Sequence, residues 1–329
     1  MALIADPVTL NDVTVLLPAG CGSFCDPQVK PVFATVSTLE AGPVTAHMYI
    51  NTEGGELEEF DKVPLTLWAT GAANAVIGFD QFIVIVSTGE TAIKYTDDRG
   101  TTQIEIDQTV VTDWAAHAPK HIDAIDMTYI IICGADGYLW KSEDAARTWE
   151  TIETGIATTD ALVRVEIARD NPQVIYSIGA TSAIIKSTNG GETWAQTLTN
   201  PGTALLALWV KDQNHILVGD DAGGIYESSD GGATWTAQVA PPDWIAAHDI
   251  MDICGCSECG VAWMAVKEAA GSAHIVYRNV DGGASGRWYI PTGGDDTTHP
   301  VLAVAHSCAN RALAVGGNGT TDGCAILLA

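Results

Sequence analysis

Basic residues are scarce in this chain. Its 15 lysines and arginines stand against 41 aspartates and glutamates, a formal net charge of −26. A surface this negative repels phosphate backbones, so nucleic acid is not expected as a partner. Arginine is scarcest, with seven in all and none before Arg99. Long apolar runs are missing too: no stretch of 18 apolar residues occurs, so no membrane insertion is expected. The first residues, Met1-Ala2-Leu3-Ile4-Ala5-Asp6-Pro7, lack a basic start and meet Asp6 and Pro7 before an apolar run develops. They do not read as a signal peptide, and the product is expected to fold in a cytoplasm. No segment carries a helical period of useful length. What remains, 47% hydrophobic and 17% charged, is ordinary for a globular chain. The acidity suits a solubilising surface, a basic partner or a salty environment.

What is abundant is a repeated nine-residue pattern. Its best copy is Lys186-Ser187-Thr188-Asn189-Gly190-Gly191-Glu192-Thr193-Trp194, followed by Glu227 to Trp235, Lys141 to Trp149, and an expanded copy from Asn279 to Trp288. Weaker copies lie at Tyr95 to Thr102, without the tryptophan, and at Asn51 to Glu56. We align their acidic or amide residue at Glu53, Asp97, Asp144, Asn189, Asp230 and Asp281, with intervals of 44, 47, 45, 41 and 51 residues. Periods of this size indicate solenoids or propellers. Between copies run short apolar or alternating segments split by Gly, Asn and Asp turns, the signature of strands. Asp and Asn bond the backbone two residues on, and Gly supplies positive φ, so each copy reads as a self-folded hairpin.

The pattern Ser-x-Asp-x-Gly-x-Thr-Trp resembles the Asp-box of BNR-repeat β-propellers, a family that includes sialidases, sortilin-type receptor ectodomains, photosystem II assembly factors and propellers among tailed-phage structural proteins. The resemblance implies an all-β propeller whose boxes join the third and fourth strands of each blade, and the six copies with one further blade made from both chain ends count to seven blades. The expected blades are 26–66, 67–111, 112–156, 157–202, 203–240, 243–292 and 297–329. Residues 12–17 are expected to add the outer strand of the last blade and so close the ring.

Candidate site residues follow from this frame. The box tryptophans Trp149, Trp194, Trp235 and Trp288 could bind sugars, but the simpler reading is packing. A ring burying about 200 Å² would pin each hairpin to the next blade. Asp97, Asp144, Asn189, Asp230 and Asp281 are expected to fold their own turns rather than bind calcium. First strands line a propeller's channel, so Asp123, Asp126, Glu166, Asp249 and Asp252 could form an acidic ring for a cation or basic peptide, or merely a hydrated channel. The segments Asp113-Trp114-Ala115-Ala116-His117 and Asp243-Trp244-Ile245-Ala246-Ala247-His248 each lead into a first strand. They read as a recognition surface or as repeat packing.

Cysteines form the strongest non-repeat feature. Cys254, Cys256 and Cys259 lie within six residues, and Cys308 occupies the matching turn of the last blade. With Cys308 or His306 they could hold a structural zinc, or they could form disulfides, as could Cys21 with Cys25. Cys133 and Cys324 read as core residues.

No enzyme of the family is matched by its residues. A sialidase-like site implies an arginine triad, and Arg99, Arg147 and Arg287 belong to box hairpins. Photosystem assembly propellers are expected to carry a basic patch, which is not seen, and sortilin-type propellers a secretory signal and a Cys-rich module. The expectation is therefore a non-catalytic, acidic structural propeller, a tail, neck or capsid-surface component of a tailed-phage virion that meets other proteins or a host receptor. The alternative is a glycan-binding or glycan-hydrolysing propeller.

Overall fold

A computed structural model describes residues 2–4, 8–16, 32–39, 47–51, 60–65, 73–87, 92–107, 114, 116–154, 161–179, 181, 184–196, 201–239, 248–256, 261–268, 274–279, 288–289, 295–296, 301–308, 311–317 and 323–328. These residues form seven antiparallel sheets. We call them blades 1 to 7 after their innermost strands, Val8–Leu16, Ala73–Phe79, Pro119–Asp126, Leu162–Ile167, Leu205–Val210, His248–Cys256 and Val301–Cys308. Each inner strand packs against that of the following blade, and Val301–Cys308 packs back on Val8–Leu16. The sole helical element among the described residues is the 3-10 turn Ala135–Gly137, and no helix there is long and apolar enough to cross a membrane.

The second strands explain why the sheets stack. Phe82–Ser87 and Ile175–Gly179 are buried at every position. Their apolar residues point to both faces because a blade lies on either side, as in any doubly covered sheet. The resulting cores sit between blades rather than within them. Ile131, Cys133, Leu139 and Ile152 of blade 3, for example, pack against Val165, Ile175 and Ile185 of blade 4. Burying a side chain of this size contributes roughly 1.5–3 kcal/mol, so each interface is strongly held.

The ring closes differently from the sequence-based expectation. Ala2–Ile4 pairs with Gly323–Leu328, Ala2 facing Ala325 and Ile4 facing Gly323, and supplies the fourth strand of blade 7. Residues 12–16 instead belong to Val8–Leu16, the inner strand of blade 1, which pairs with Val32–Leu39. The physical reason is burial. Leu10, Val13 and Leu16 are almost wholly buried, which an outermost strand with an open edge would not allow.

Every inner strand carries a β-bulge near its start. The pairing slips at Asn11, Asn74, Lys120, Val163, Leu206, Met251 and Leu302. A bulge adds one unpaired residue and re-aims the side chains after it. In this ring it turns the following residues toward the neighbouring inner strand.

Candidate functional site

The box hairpins are local hydrogen-bond knots. In blade 4 the amides of Gly191 and Asn189 donate to Ser187 Oγ at 2.9 and 3.3 Å, and Ser187 donates to Asn189 Oδ1. Thr193 N–H donates to the same Oδ1 at 3.0 Å, and Trp194 Nε1 to Gly191 O. Ser142 and Asp144 repeat this in blade 3, and Ser228 and Asp230 in blade 5. The Thr234 bonds hold Asp230 at about 2, well below the ordinary carboxylate range. In blade 2 the knot is built on Asp98, not Asp97. Thr96 Oγ1 accepts the Gly100 N–H at 2.8 Å, and Asp98 accepts the Thr102 N–H at 2.8 Å, while Asp97 is exposed. The hydroxyl must stand two residues before the carboxylate, and only Thr96 and Asp98 satisfy that. Glu53 and Asp281 lie outside the described residues.

The hairpins dock backward. Trp149 of blade 3 packs with Phe82, Tyr95 and Ile106 of blade 2, and Trp194 of blade 4 with Ile131 and Ile152 of blade 3. Trp235 and Trp288 likewise join the cores formed with blades 4 and 5. The expected contact with the next blade is therefore corrected to the preceding one. Polar latches reinforce it: Tyr129 of blade 3 donates to Gly190 O at 2.9 Å, and Lys186 of blade 4 to Gly231 O at 3.4 Å. Gly231 sits at φ +73°, and a Cβ there would stand 2.7 Å from Lys186 Nζ. The left-handed backbone calls for glycine at that position, and the Lys186 side chain occupies the space it leaves.

The inner-strand acids of blades 1, 3, 4 and 6 form a belt, each tying its blade to the following one. Asp12 accepts the Val76 N–H at 2.9 Å, Asp123 the Ile167 N–H at 2.8 Å, Glu166 the Val210 N–H at 2.6 Å, and Asp252 the Val304 N–H at 2.9 Å. Two tiers are present. Asp12, His121, Arg164 and Asp252 directly follow the bulges; Asp123, Glu166 and Cys254 lie two residues further on. His121 Nδ1 lies 3.2 Å from Val165 O. Arg169 donates to Asp123 Oδ1 and Ala124 O, both at 2.6 Å. Arg164 reaches past blade 5, whose matching residue is the small Ala207, to Met251 O at 2.8 Å, with Asp252 at 3.7 Å.

Burial governs the electrostatics of this belt. It pushes Asp12 up to about 7, against the pull of Arg164 and with the push of Asp252. It raises Glu166, with Asp123 adding to the effect, and raises Asp252 despite Arg164. The imidazoles move the opposite way: His121 is lowered, and His306 falls to about 4. Arg169 has a side chain 47% open to solvent, yet protein rings it and Asp123 holds its charge. Asp126 takes no part in the belt. It caps the turn after its strand by accepting the Thr128 N–H and hydroxyl at 2.7 and 2.6 Å. Asp249 stands half-buried at the start of the blade 6 inner strand. Asp12 and Arg164 were not singled out from the sequence. The signal that could have found the belt is the repeat period itself, since three of its bonds, from His121, Asp123 and Glu166, span 44 residues each.

Of the segments leading into inner strands, Trp114 is buried and packs on Trp140, ring centroids 4.7 Å apart. His117 stacks on Tyr138 at 3.5 Å and meets Asp136 Oδ2 at 3.0 Å. His248 is buried; Asp113, Asp243 and Trp244 lie outside the described residues. Among the cysteines, Cys256 is disulfide-bonded, while Cys254 and Cys133 are free thiols. Of the alternatives weighed for Cys256, the structure has the disulfide. Among the described residues no group of three His, Cys, Asp or Glu side chains is placed to hold a metal. Cys21, Cys25 and Cys259 and the side chains of Cys308 and Cys324 lie outside the described set.

Boxes, backward-docked hairpins and stacked four-stranded sheets define an Asp-box β-propeller. The chain belongs to the family described as photosynthesis system II assembly factor YCF48, whose sequence pattern matches residues 101–287, more than half its length. That match overturns the exclusion of this branch for want of a basic patch: the family pattern lies in the box-bearing blades, not in surface charge. Similar solved structures include YCF48 bound to D1 peptide (TM-score 0.70, 14% identity, covering 99% of this chain and 94% of that one). YCF48 from Cyanidioschyzon merolae has a TM-score of 0.68 and 15% identity, covering 99% and 97%. A GH74 xyloglucanase from Xanthomonas campestris has a TM-score of 0.65 and 14% identity, covering 95% of this chain and 51% of that one. At such identities these likenesses speak for the fold alone. No curated protein matches the chain in sequence, and none of the relatives named here is a phage protein.

Proposed function

We propose that this chain is a non-catalytic propeller that binds another protein within a larger assembly. One observation carries the reading: Asp123, Glu166 and Asp252, the inner-strand acids best placed for chemistry, are each committed to a backbone N–H of the following blade. A glycosidase needs two carboxyls free to face a sugar, about 5 to 9.5 Å apart. Here the acids hold the ring together instead. A protein partner is supported by family membership and by the neighbour that carries a peptide, YCF48 bound to D1 peptide. The likeness to GH74 enzymes motivates the direct test, reducing-sugar release from a panel of glycans that includes xyloglucan. No release is expected; release that is lost in a folded Asp123→Asn or Asp249→Asn variant overturns the proposal.

The narrower placement in a tailed-phage particle rests on the resemblance to phage propellers alone. Sedimentation of native source material through a density gradient tests it. Co-migration with capsid or tail proteins at a fixed ratio supports that placement, and a free ring of 34.5 kDa at the top refutes it.

A further inference from the structure

Among the described residues, Asp12 differs from Asp123 and Asp252 in having no contacting cation, a lack it shares with Glu166. It is 7% exposed, at the seam between blades 1 and 2, and one oxygen accepts the Val76 N–H at 2.9 Å. Among the described residues no cation lies within ion-pair distance of it. The guanidinium that faces it, Arg164 of blade 4, is bonded to Met251 O and lies 3.7 Å from Asp252. The other titratable side chains along the ring axis are His121 and Asp123 of blade 3, Glu166 and Arg169 of blade 4, Asp252 and Cys254 of blade 6, and His306 of blade 7. Lys120, Asp126, His248 and Asp249 complete those on the inner strands of blades 3 and 6. The inner strands of blades 2 and 5 carry none. The belt therefore holds four carboxylates, Asp12, Asp123, Glu166 and Asp252, against the guanidiniums Arg164 and Arg169. A buried carboxylate without a contacting cation is strongly disfavoured in its charged form.

We infer that Asp12 is a proton-operated latch between blades 1 and 2: protonated, it joins the two inner strands without a net charge, and its ionisation loosens that seam. The protonated carboxyl keeps one oxygen for the Val76 N–H, so the bond survives while the uncompensated charge is gone. Burial places the change near neutrality, with Asp12 at about 7 against an ordinary 3.8. The folded ring holds this proton more tightly than the unfolded chain does. The stabilisation is therefore complete below pH 3.8 and lost as pH rises through about 7. Glu166 and Asp252 are raised in the same direction, whereas the lowered His121 and His306 act oppositely, favouring the folded ring above pH 6.5 and losing that effect in acid.

The test is urea unfolding of the whole chain from pH 5.5 to 8.5, for the native protein, Asp12→Asn, and Asp126→Asn as a control in an exposed turn. From pH 6 to 8 the Asp12 contribution should lower the folding equilibrium constant about tenfold. Asp12→Asn should remove that part of the slope, and Asp126→Asn should leave it unchanged. An unaltered slope in folded Asp12→Asn overturns the latch. If that variant fails to fold, hydrogen-exchange protection in the native protein decides. Protection of the Val76 amide should drop between pH 6 and pH 8 relative to Val218, and equal protection of the two at both pH values refutes the inference.

Discussion

Replacing Ser187 by alanine removes the centre of the best-formed box without touching a blade core. Ser187 Oγ is buried, accepts the N–H groups of Gly191 and Asn189, and donates to Asn189 Oδ1. In Ser187→Ala the Gly191 amide, which is itself buried, has no acceptor in reach. An unsatisfied buried donor costs about 1–3 kcal/mol. Asn189 keeps its bonds to Thr193, so the outer half of the turn should survive, and the loss should fall in the middle of that range. The effect should reach the ring because this hairpin is docked on blade 3 through Trp194 and the Tyr129 bond to Gly190 O. Urea unfolding followed by tryptophan fluorescence gives the free energy. Ser187→Thr should recover most of it, since Thr96 fills the same role in blade 2. A Ser187→Ala variant within about 0.5 kcal/mol of native, the range of an ordinary surface change, would refute the argument that this hydroxyl organises the turn.

Three further outcomes are expected. Tyr129→Phe, which removes the bond from blade 3 to Gly190 O, should cost about 1 kcal/mol by the same unfolding measurement, and no change would show the latch to be idle. Ala145→Gly should stabilise blade 3 by a few tenths to about 1 kcal/mol. Ala145 is held at φ +59°, where blades 4 and 5 place Gly190 and Gly231, and a lower melting temperature would contradict this. A thiol reagent at pH 8 should leave Cys133 unlabelled until the chain is denatured. Burial pushes its thiol up to about 12, and rapid labelling in the native state would refute that burial.

The boxes were legible in the sequence because the bonds that fold each turn, from hydroxyl, carboxylate and tryptophan, close within nine residues. Where one member was missing the reading slipped. Without a tryptophan to fix the alignment, Asp97 was taken for Asp98, although Thr96 marks the right spacing. The closing strand was misplaced because Ala2–Ile4 is too short to carry a pattern, and nothing in a strand such as Val8–Leu16 names its partner. The acids were legible as a group but not as a belt. Asp126 shares a strand and a charge with Asp123, and only the turn at Met127 and Thr128 separates a cap from an inter-blade bond. Arg164 and Asp252 come from blades 4 and 6, 88 positions apart in number, and meet only because Ala207 leaves room between them.

The direction of docking also orders the growth of the ring on the ribosome. Each box hairpin packs on the blade before it, and Asp12, Asp123, Glu166 and Asp252 each wait for an amide from the blade after. Blades 4 and 5, on leaving the exit tunnel, thus meet a finished surface that already presents both the apolar seat for their tryptophan and an acceptor for their inner strand. Assembly can proceed by addition in the order of synthesis, N-terminal units first. At the seam between the last blade and the first the order of synthesis is reversed, and there the short strand Ala2–Ile4 must be recaptured by a partner made more than three hundred residues later. Closure is therefore the last event and the natural place for the ring to come apart first.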